Sequence, residues 1–463
     1  MRGDENHLSF LFVKYDNILF MKICFLPIDN RPVCYNLASD IVAMDKSIEL
    51  FLPPREFLGS LIKNADIEGL FDWLKNVPLC DAIILSLDTI AYGGLIPSRR
   101  SNDDFDSIRA RLNALKEILN EKNAKIYAFS SVMRISNNNY NEEEKEYWKD
   151  FGIQIFKYSY ETHKFGESET KIPLEVLEDY LNTRKRNFEI NKIYLEWQKE
   201  GFFDTLIFSK DDCADYGLNV KEAKELEKLG GKIKTGADEI PLTLLSRAIQ
   251  KNTKIFVKYL EPESKHLISN YEDVSIEESV SGQLELAGLE EVKTEKESDV
   301  VLVVNNFKEK QGELVMGWET EPFSNDLYLP NKPYIVADVR YANGADNNFV
   351  KELFLKMNLE RFMGFSAWNT SANTLGSLLA GLKVKYNAVN YHEDSYKRLQ
   401  MIRFLDDWAY QANVRGMIEK PVDIKNLMSP FEEELKTLFG YENAIPISYT
   451  YPWNRKFEIE VSL

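Results

Sequence analysis

The chain of 463 residues contains 57 basic and 74 acidic side chains, for a formal net charge of -17, and 44% of its residues are hydrophobic. This length and apolar content are enough for two or three folding units and exclude a small scaffold held together by disulfides. The negative charge repels phosphate backbones and anionic lipid surfaces, so we expect neither nucleic acid nor a membrane as a partner. The four cysteines lie far apart without a Cys-x-x-Cys pair, which indicates thiols in a reducing, cytoplasmic compartment.

The first twenty residues are predicted to be an extension, either upstream of the natural start or a peripheral arm. They are charged early and lack both a long apolar core and a small-residue cleavage site, unlike a signal peptide. A buried strand is predicted directly after Met21. No run approaches about 18 continuous apolar residues, the length that a membrane-spanning helix needs.

Short apolar runs alternate with helical patterns along residues 21–250. In the helical patterns, as at 67–76 and 105–123, apolar residues recur at intervals of three and four. The alternation predicts a mostly parallel sheet covered by helices. Residues 137–200 interrupt it with long, charged helices and are predicted to be a helical insertion.

A second series of strands and helices is predicted over residues 251–383, followed by a C-terminal helical region and tail over 384–463. We therefore predict an α/β fold of two mostly parallel, doubly wound units, with a (β/α)8 barrel carrying insertions as the alternative. Both architectures place ligands at the carboxyl ends of the strands. The predicted location of the site is therefore the same for either architecture.

Polar side chains follow most of the predicted strands. A carboxylate at the end of a buried strand must be solvated, paired with another group or part of a functional site, because its burial without a partner is costly. A single one could be a helix N-cap or part of an ion pair, but the pattern recurs in both series. The predicted catalytic carboxylates are Asp29, Asp88, Asp212, Asp238 and Glu239. The predicted substrate-binding residues are Arg31, Tyr92, Arg99, Arg134, Asp338, Asn343, Asp346, Trp368, Asn369 and Asn373.

Two pairs of adjacent acidic residues, Asp211-Asp212 and Asp238-Glu239, do not form ready-made catalytic pairs. Neighbours on an extended chain point to opposite faces, so at most one of each pair is expected in a shared site. An acid and a base would instead come from different loops, for example Asp88 or Asp29 with Asp212 or Asp238.

Tyr180, Arg184, Asn187 and Asn191 are spaced so that they share one face of a helix. Such a face can reach into a cleft or remain solvated, and the spacing leaves both interpretations open. The chemistry of asparagine favours the first, because it is a poor choice for a merely solvated helix interior.

The segment 364–381 has the pattern of a strand, a polar turn and a helix of small residues. Ser371 or Asn373 could cap that helix, whose N-terminal amides would favour an anionic or hydroxyl-rich ligand. Trp368 beside Asn369 suits a sugar, since an aromatic face packs on C–H groups while an amide binds hydroxyls. In the alternative interpretation, Trp368 belongs to the core and the asparagines only shape the turn.

Several familiar signatures are missing from the sequence. It has no G-x-G-x-x-G after a strand, no P-loop, no H-E-x-x-H and no G-x-S-x-G, which disfavours dinucleotide, P-loop nucleotide, zincin and α/β-hydrolase functions. The four histidines are isolated, so no His-rich metal centre and no organic cofactor are predicted. Binding of Mg²⁺ or Mn²⁺ by aspartates stays open.

Seven segments, taken together and in order, resemble the bacterial domain-of-unknown-function family 4127. They are LPIDNRPVCYN, LPPREFLG, LSLDTIAYGGLIPSRR, TGADEIPLTLLSRA, NYEDVSIEESVSGQLELAG, VADVRYANGAD and SAWNTSANTLG. The resemblance runs from about residue 21 to about residue 415 and implies one evolutionary unit, but no reaction. It carries over to Asp29, Arg31, Asp88, Tyr92, Gly93, Gly94, Arg99, Asp238, Glu239, Asp338, Asn343, Asp346, Trp368, Asn369 and Asn373.

The polar strand ends and the Trp-Asn pair predict a carbohydrate-active, glycosidase-like hydrolase that uses paired carboxylates on a small-molecule or saccharide substrate. One alternative is a Mg²⁺- or Mn²⁺-dependent hydrolase or lyase of a small polar metabolite. Another is a sugar-binding protein whose two units close over a ligand without breaking a bond. The sequence does not indicate an oligomeric state.

Overall fold

The computed structural model of the chain describes residues 20–211, 213–442 and 446–463. Asp212, one of the predicted catalytic carboxylates, lies outside the described residues. The same holds for residues 1–19 of the predicted N-terminal extension.

Six parallel strands form the first sheet. They are β1 (Met21–Leu26), β2 (Ile48–Phe51), β3 (Ala82–Ser86), β4 (Lys125–Val132), β5 (Thr205–Lys210) and β6 (Ile233–Thr235), in the spatial order β2-β1-β3-β4-β5-β6. The helices between and after them are α1 (Asn36–Val42), α2 (Ile67–Asn76), α3 (Leu87–Tyr92), α4 (Leu95–Arg100), α5 (Phe105–Asn120), α6 (Trp148–Phe165), α7 (Leu174–Lys199), α8 (Leu218–Lys228) and α9 (Ile240–Ala248). The chain thus starts inside the sheet and winds toward both edges, as in a doubly wound fold.

The strands of this sheet contribute alternate residues to two apolar clusters, because successive side chains of a strand point to opposite faces. In β1, Ile23 and Phe25 belong to a cluster that the first sheet shares with the second. Cys24 and Leu26 belong to a cluster on the other face, with α2 and α5. Since both faces are covered, the strands have continuous apolar sequences.

The second sheet has five parallel strands. In chain order, the elements of this part are β7 (Lys254–Tyr259), α10 (Ile276–Ala287), β8 (Glu290–Glu291), β9 (Val300–Asn305), β10 (Gly312–Glu313), β11 (Tyr334–Asp338), β12 (Tyr341–Ala342), α11 (Asn347–Lys356), β13 (Phe362–Ser366) and α12 (Ser371–Asn387). The sheet has the order β13-β11-β9-β7-β8, while β10 pairs separately with β12. Counted from its first strand, the second sheet has the order 2-1-3-4-5, which is also the order of the first five strands of the first sheet.

The C-terminal part contains α13 (Glu393–Arg403), a π-helical segment (Phe404–Val414), α14 (Lys425–Phe439) and the antiparallel pair β14 (Ser448–Thr450) and β15 (Glu460–Ser462). Short 3-10 turns occur at Arg55–Phe57, Pro262–Ser264, Glu295–Glu297, Arg415–Met417 and Pro452–Asn454. No helix in the described part of the chain has the length and apolar character needed to cross a bilayer.

Two mostly parallel sheets flanked by helices confirm the predicted α/β fold class. Helices α6 and α7 lie between β4 and β5, within the range predicted as a helical insertion. The predicted domain boundaries stay predictions, but all strands of the first sheet precede residue 236 and those of the second follow residue 253.

Helices α9 and α12 pack against each other between the two sheets. Gly376 of α12 allows this approach, because a Cβ there would lie 2.5 Å from the Cβ of Glu239. The close helix pair fixes how the carboxyl ends of the two sheets meet.

Candidate functional site

The carboxyl ends of strands from both sheets meet at a cleft of about 280 Å³. Arg31 follows β1, Arg134 follows β4, Asp211 follows β5 and Asp238 follows β6. The other residues that line the cleft are Leu95, Ile96, Ser136, Asn138, Tyr140, Glu142, Glu143, Glu144, Tyr271, Asn343, Asn369, Trp453, Arg455 and Phe457. This is where ligands bind in doubly wound folds.

Of the predicted site residues, Arg31, Arg134, Asp238, Asn343 and Asn369 line the cleft. Asp29 and Arg99 lie just behind the lining, since Asp29 contacts Arg31 and Arg99 contacts Glu144. The structure does not bring the remaining described residues of the prediction to the cleft surface; these are Asp88, Tyr92, Glu239, Asp338, Asp346, Trp368 and Asn373.

Arg31 forms the floor of the cleft and is only 4% exposed. Its backbone N–H and Nε both donate to Asp29, two residues earlier, in a local turn. Its Nη1 donates to Asp238 at 3.3 Å, and its Nη2 pairs with both carboxylates. Burial lowers the pKa of Arg31, but Asp238 and Asp29 outweigh it and raise the pKa well above the usual value. The guanidinium is therefore a fixed positive charge between two carboxylates.

Glu458 lies beneath this guanidinium, with its Oε1 3.9 Å from the Nε of Arg31. Burial raises the pKa of Glu458 to about 8, although Arg31 opposes the shift. Oε1 has no hydrogen-bond partner among the described residues. Glu458 is thus a protonated carboxyl group at neutral pH, next to the ionised floor.

Glu143 is surrounded by three guanidinium groups on one side of the cleft. It accepts hydrogen bonds from Arg134 at 2.6 Å, Arg455 at 2.5 Å and Arg99 at 3.5 Å. Burial raises the pKa of Glu143, but Arg134, Arg455 and Arg99 outweigh burial and hold the pKa well below its usual value. Its neighbour Glu144 pairs with Arg99 at 3.1 Å. Glu143 therefore stays ionised at any physiological pH.

Aromatic side chains form a second part of the lining. Two guanidinium groups lie over the ring of Trp453, that of Arg31 at 4.9 Å and that of Arg455 at 4.7 Å from the ring centroid. The Nε1 of Trp453 donates to Asn30 at 2.7 Å, which ties the C-terminal segment to the loop after β1. Tyr140, at the opening, is 78% exposed. An exposed ring such as that of Tyr140 can pack against the C–H groups of a ligand.

The backbone at the cleft is strained. Six described non-glycine residues have positive φ, and four of them line the cleft: Tyr271 at 67°, Asn343 at 62°, Asn369 at 61° and Trp453 at 56°. Asparagine tolerates this region, but for the large aromatic residues it is a true outlier. Strain of this kind costs about 1–3 kcal/mol per residue and concentrates at functional sites.

Asn369 also has a side-chain amide that makes no hydrogen bond to the described residues, while its carbonyl accepts from the N–H of Asn343. Asn343 donates its amide to Glu313 at 2.5 Å. The left-handed turns thus aim the asparagines at the cleft, and the amide of Asn369 is available to a ligand.

Asp88 is fully buried beside β4 and outside the cleft lining. It accepts hydrogen bonds from the hydroxyl of Ser130 and the N–H of Ser131, both at 2.9 Å. Burial raises its pKa to about 6, while the bonds from Ser131 and Ser130 oppose the shift. In this position Asp88 joins the ends of β3 and β4. Tyr92 is likewise buried, with the guanidinium of Arg186 5.4 Å from its ring.

Asp338 and Asp346 organise the loop after β11. Asp338 accepts from the N–H of Asp346 at 2.7 Å, and Asp346 caps α11 by accepting from Asn348 at 2.9 Å. Burial, together with the nearby charge of Asp346, raises the pKa of Asp338 to about 7. Arg340 lies 3.6 Å from Asp346. Both carboxylates thus have protein partners in the buried loop.

Protein groups bind two amides at the N-terminus of α12. Thr370 is its N-cap, in place of the predicted Ser371 or Asn373, because the threonine hydroxyl accepts from the N–H of Asn373. Glu272 accepts from the N–H of Ala372 at 2.7 Å. Two of the amides that were expected to attract an anionic ligand thus bind the protein's own side chains, the carboxyl group of Glu272 and the hydroxyl of Thr370. Trp368 is 2% exposed and belongs to the core.

The polar face of α7 is neither in the cleft nor solvated. Arg184 donates to the carbonyl of Met133 at 2.9 Å and pairs with Glu222. Asn187 and Asn191 likewise donate to backbone carbonyls, those of Ser98 and Ser131. Together with Tyr180, these buried side chains attach the helical insertion to the strand ends.

Sequence reasoning missed several residues of the cleft lining and one buried residue behind it. The lining residues are Glu142, Glu143, Glu144, Tyr140, Tyr271, Trp453 and Arg455, and the buried one is Glu458. The glutamates were interpreted as part of a charged helix, but α6 begins only at Trp148, which leaves them in the loop after β4. That loop position was the available signal. For the C-terminal residues no sequence signal indicated a site, since they reach the cleft only through the fold.

One group of side chains has the composition of a metal site. Ligand atoms of Asp29, Cys34 and Asp238 lie within 4.8 Å of one another. However, Arg31 bonds to both carboxylates, and burial raises the pKa of the Cys34 thiol well above its usual value. A divalent cation would have to displace a guanidinium and deprotonate the thiol.

A model of the family described as "Protein of unknown function (DUF4127)" matches residues 23–462. The match continues past residue 415, so it includes the C-terminal segment that carries Trp453 and Glu458. No curated protein matches the chain.

Proposed function

The chain belongs to the DUF4127 family, whose description assigns no function, and we propose from its cleft that it hydrolyses saccharides as a glycosidase-like enzyme. The observation that carries the proposal is one lining that combines carboxylates, asparagine amides and aromatic faces at the carboxyl ends of both sheets. Carboxylates and amides bind hydroxyl groups, and aromatic faces pack on the C–H faces of sugar rings. The volume of about 280 Å³ accommodates one or two sugar rings.

Glycoside hydrolysis needs one carboxyl group that donates a proton and one carboxylate that activates water or stabilises the cationic transition state. Glu143 suits the second role, because its three arginine partners keep it ionised. Asp238 lines the cleft and shares the guanidinium of Arg31 with Glu458. Glu458, whose pKa burial raises to about 8, is the protonated carboxyl group next to the floor. It lies behind Arg31 and outside the lining, so its proton reaches a substrate only if the substrate or a water molecule passes Arg31.

Purified protein is tested against a panel of aryl glycosides and muropeptide sugars, with release of the aryl alcohol or of new reducing ends as the readout. We expect turnover of at least one substrate. The isosteric changes Asp238→Asn and Glu143→Gln should lower kcat/KM by about a hundredfold or more, since each removes a carboxylate from the cleft.

Asp179→Asn is the matched control, because Asp179 is also ion-paired, 2.8 Å from Lys145, but lies outside the cleft. It should keep wild-type kcat/KM. Calorimetric binding of a sugar that is recovered intact would favour the sugar-binding alternative instead. Activity that EDTA abolishes and Mg²⁺ restores would favour a metal-dependent hydrolase or lyase.

A further inference from the structure

The charges around the cleft do not balance. At the floor, Asp29 and Asp238 share one guanidinium, that of Arg31, and the third carboxyl group, Glu458, is protonated at neutral pH. The floor therefore contains two negative charges and one positive charge. Among the described residues that contact Arg31, no second cationic side chain neutralises the remaining negative charge of Asp29 and Asp238.

The side of the cleft shows the same deficit. Among the described residues, the ion pairs join three guanidinium groups, those of Arg99, Arg134 and Arg455, to four carboxylates, those of Glu142, Glu143, Glu144 and Asp211. A fourth guanidinium group, that of Arg100, donates to the backbone carbonyl of Glu142 at 3.4 Å but forms no ion pair with its carboxylate. Glu142 is the least satisfied of the four carboxylates. It is 3.8 Å from Arg455, which is much closer, at 2.5 Å, to Glu143. The side chain of Glu142 is also 59% exposed at the cleft.

The uncharged part of the lining can hold a donor-rich group. The side-chain amide of Asn369 makes no hydrogen bond to the described residues. The left-handed backbone of Asn369, at φ 61°, is part of the turn that lines the cleft. The side-chain oxygen of this amide is an acceptor for N–H or O–H donors. The cleft thus offers a neutral acceptor and a surplus carboxylate in one lining.

We propose that the cleft selects a saccharide that carries a protonated amino group, over neutral, N-acetylated and acidic sugars. This inference rests on the proposed function and specifies its substrate class. An ammonium group would partly neutralise the excess negative charge at the floor or the side of the cleft. The carboxylate of a uronic acid would instead be repelled by it. In a cleft open to solvent, the ammonium group keeps part of its hydration, so the desolvation cost does not cancel this gain.

The test is calorimetric binding of four disaccharides, built from glucosamine, N-acetylglucosamine, glucose and glucuronate. The first two differ from glucose only at C2, and glucuronate differs from glucose only at C6. The buffer contains EDTA at about pH 6, where primary amines are protonated. We expect the glucosamine disaccharide to bind about tenfold more tightly than the glucose disaccharide. The ratio should shrink as salt is raised, and glucuronate should bind most weakly.

Glu142→Gln should remove most of the preference for the amino sugar. Glu146→Gln is its matched control, because Glu146 is four residues away, 84% exposed and outside the cleft lining, and it should keep the preference. Equal affinity for the amino and the neutral disaccharide would overturn the inference while leaving the proposed function intact. Failure of all four to bind would overturn both. If Mg²⁺ binds in the absence of sugar and abolishes the preference, the excess negative charge serves to bind a metal, and the inference about amino sugars is also overturned.

Discussion

Glu239 shows how burial, more than pairing, decides the state of a single carboxyl group. One oxygen accepts from the N–H of Ser377 at 2.6 Å, while Oε1 has no partner among the described residues. Burial raises the pKa of Glu239 to about 8, and Arg403 only partly opposes it. The native protein therefore holds a proton on Glu239 at neutral pH, at the contact between α9 and α12.

We predict that Glu239 makes the protein less stable as pH rises. Its carboxyl group is protonated in the native state up to about pH 8 but ionised in the unfolded state above its model value of 4.5. Between these values unfolding releases a proton, so this group lowers the free energy of unfolding by about 1.4 kcal/mol per pH unit. Urea denaturation of Glu239→Gln at about pH 5 and about pH 8 should show a shallower decline than wild type.

The comparison with wild type isolates this residue, because other buried acids such as Asp338 and Glu458 are present in both proteins. Glutamine keeps the shape of the protonated acid and can accept from Ser377. An unchanged decline between the two pH values would mean that Glu239 is already ionised in the native protein.

At the scale of elements, helix α11 depends on one residue of the loop that precedes it. Asp346 accepts from the N–H of Asn348 at 2.9 Å and also from the N–H of Phe323 at 2.6 Å. Asp346 therefore caps α11 and also holds the segment around Phe323 against the start of this helix. The sequence pattern of an acidic residue after a strand is equally typical of a binding site and of such a cap.

We predict that Asp346→Ala lowers the free energy of unfolding by about 2 kcal/mol or more, because it removes the cap and leaves a second buried N–H unsatisfied. Asp346→Asn should lose clearly less, since asparagine is also a good N-cap. Chemical denaturation of the two variants provides the comparison. Equal stability of the two variants would contradict a capping role.

At the scale of the whole molecule, the two sheets are held together by the close contact of α9 and α12. A Cβ on Gly376 would meet the Cβ of Glu239 at 2.5 Å and its carbonyl oxygen at 2.6 Å. Further along α12, a Cβ on Gly381 would lie 3.7 Å from Leu399, an ordinary contact. The first glycine is thus required by packing between the units, and the second is not.

We predict that Gly376→Ala lowers the free energy of unfolding by about 1–3 kcal/mol, because the added methyl group forces the two helices apart. Gly381→Ala, in the same helix, should be neutral or stabilise the protein by up to about 1 kcal/mol, since alanine is the better helix former. Thermal unfolding of the two variants measures both effects. A stable Gly376→Ala variant would show that the helices are not in close contact.

Local patterns in the sequence were enough to predict the alternating strands and helices, and hence the α/β class, because burial on both faces imposes continuous apolar strands. It also placed Arg31, Arg134 and Asp238 after the ends of strands, where all three line the cleft. The same rule selected Asp88 and Asp346, which the structure places at buried turns. Sequence position locates the end of a strand but does not give the direction in which its side chain points.

Which of these residues lie together in the cleft depends on the packing of segments that are distant in the chain. Glu143 comes from the loop after β4, and Trp453 and Glu458 come from a segment more than 300 residues later, yet all three adjoin Arg31 or Arg455. Their meeting depends on how α9 and α12 pack and how the C-terminal segment returns to β1. Such contacts arise from the shapes of distant surfaces, and neither composition nor local periodicity encodes them in a readable pattern.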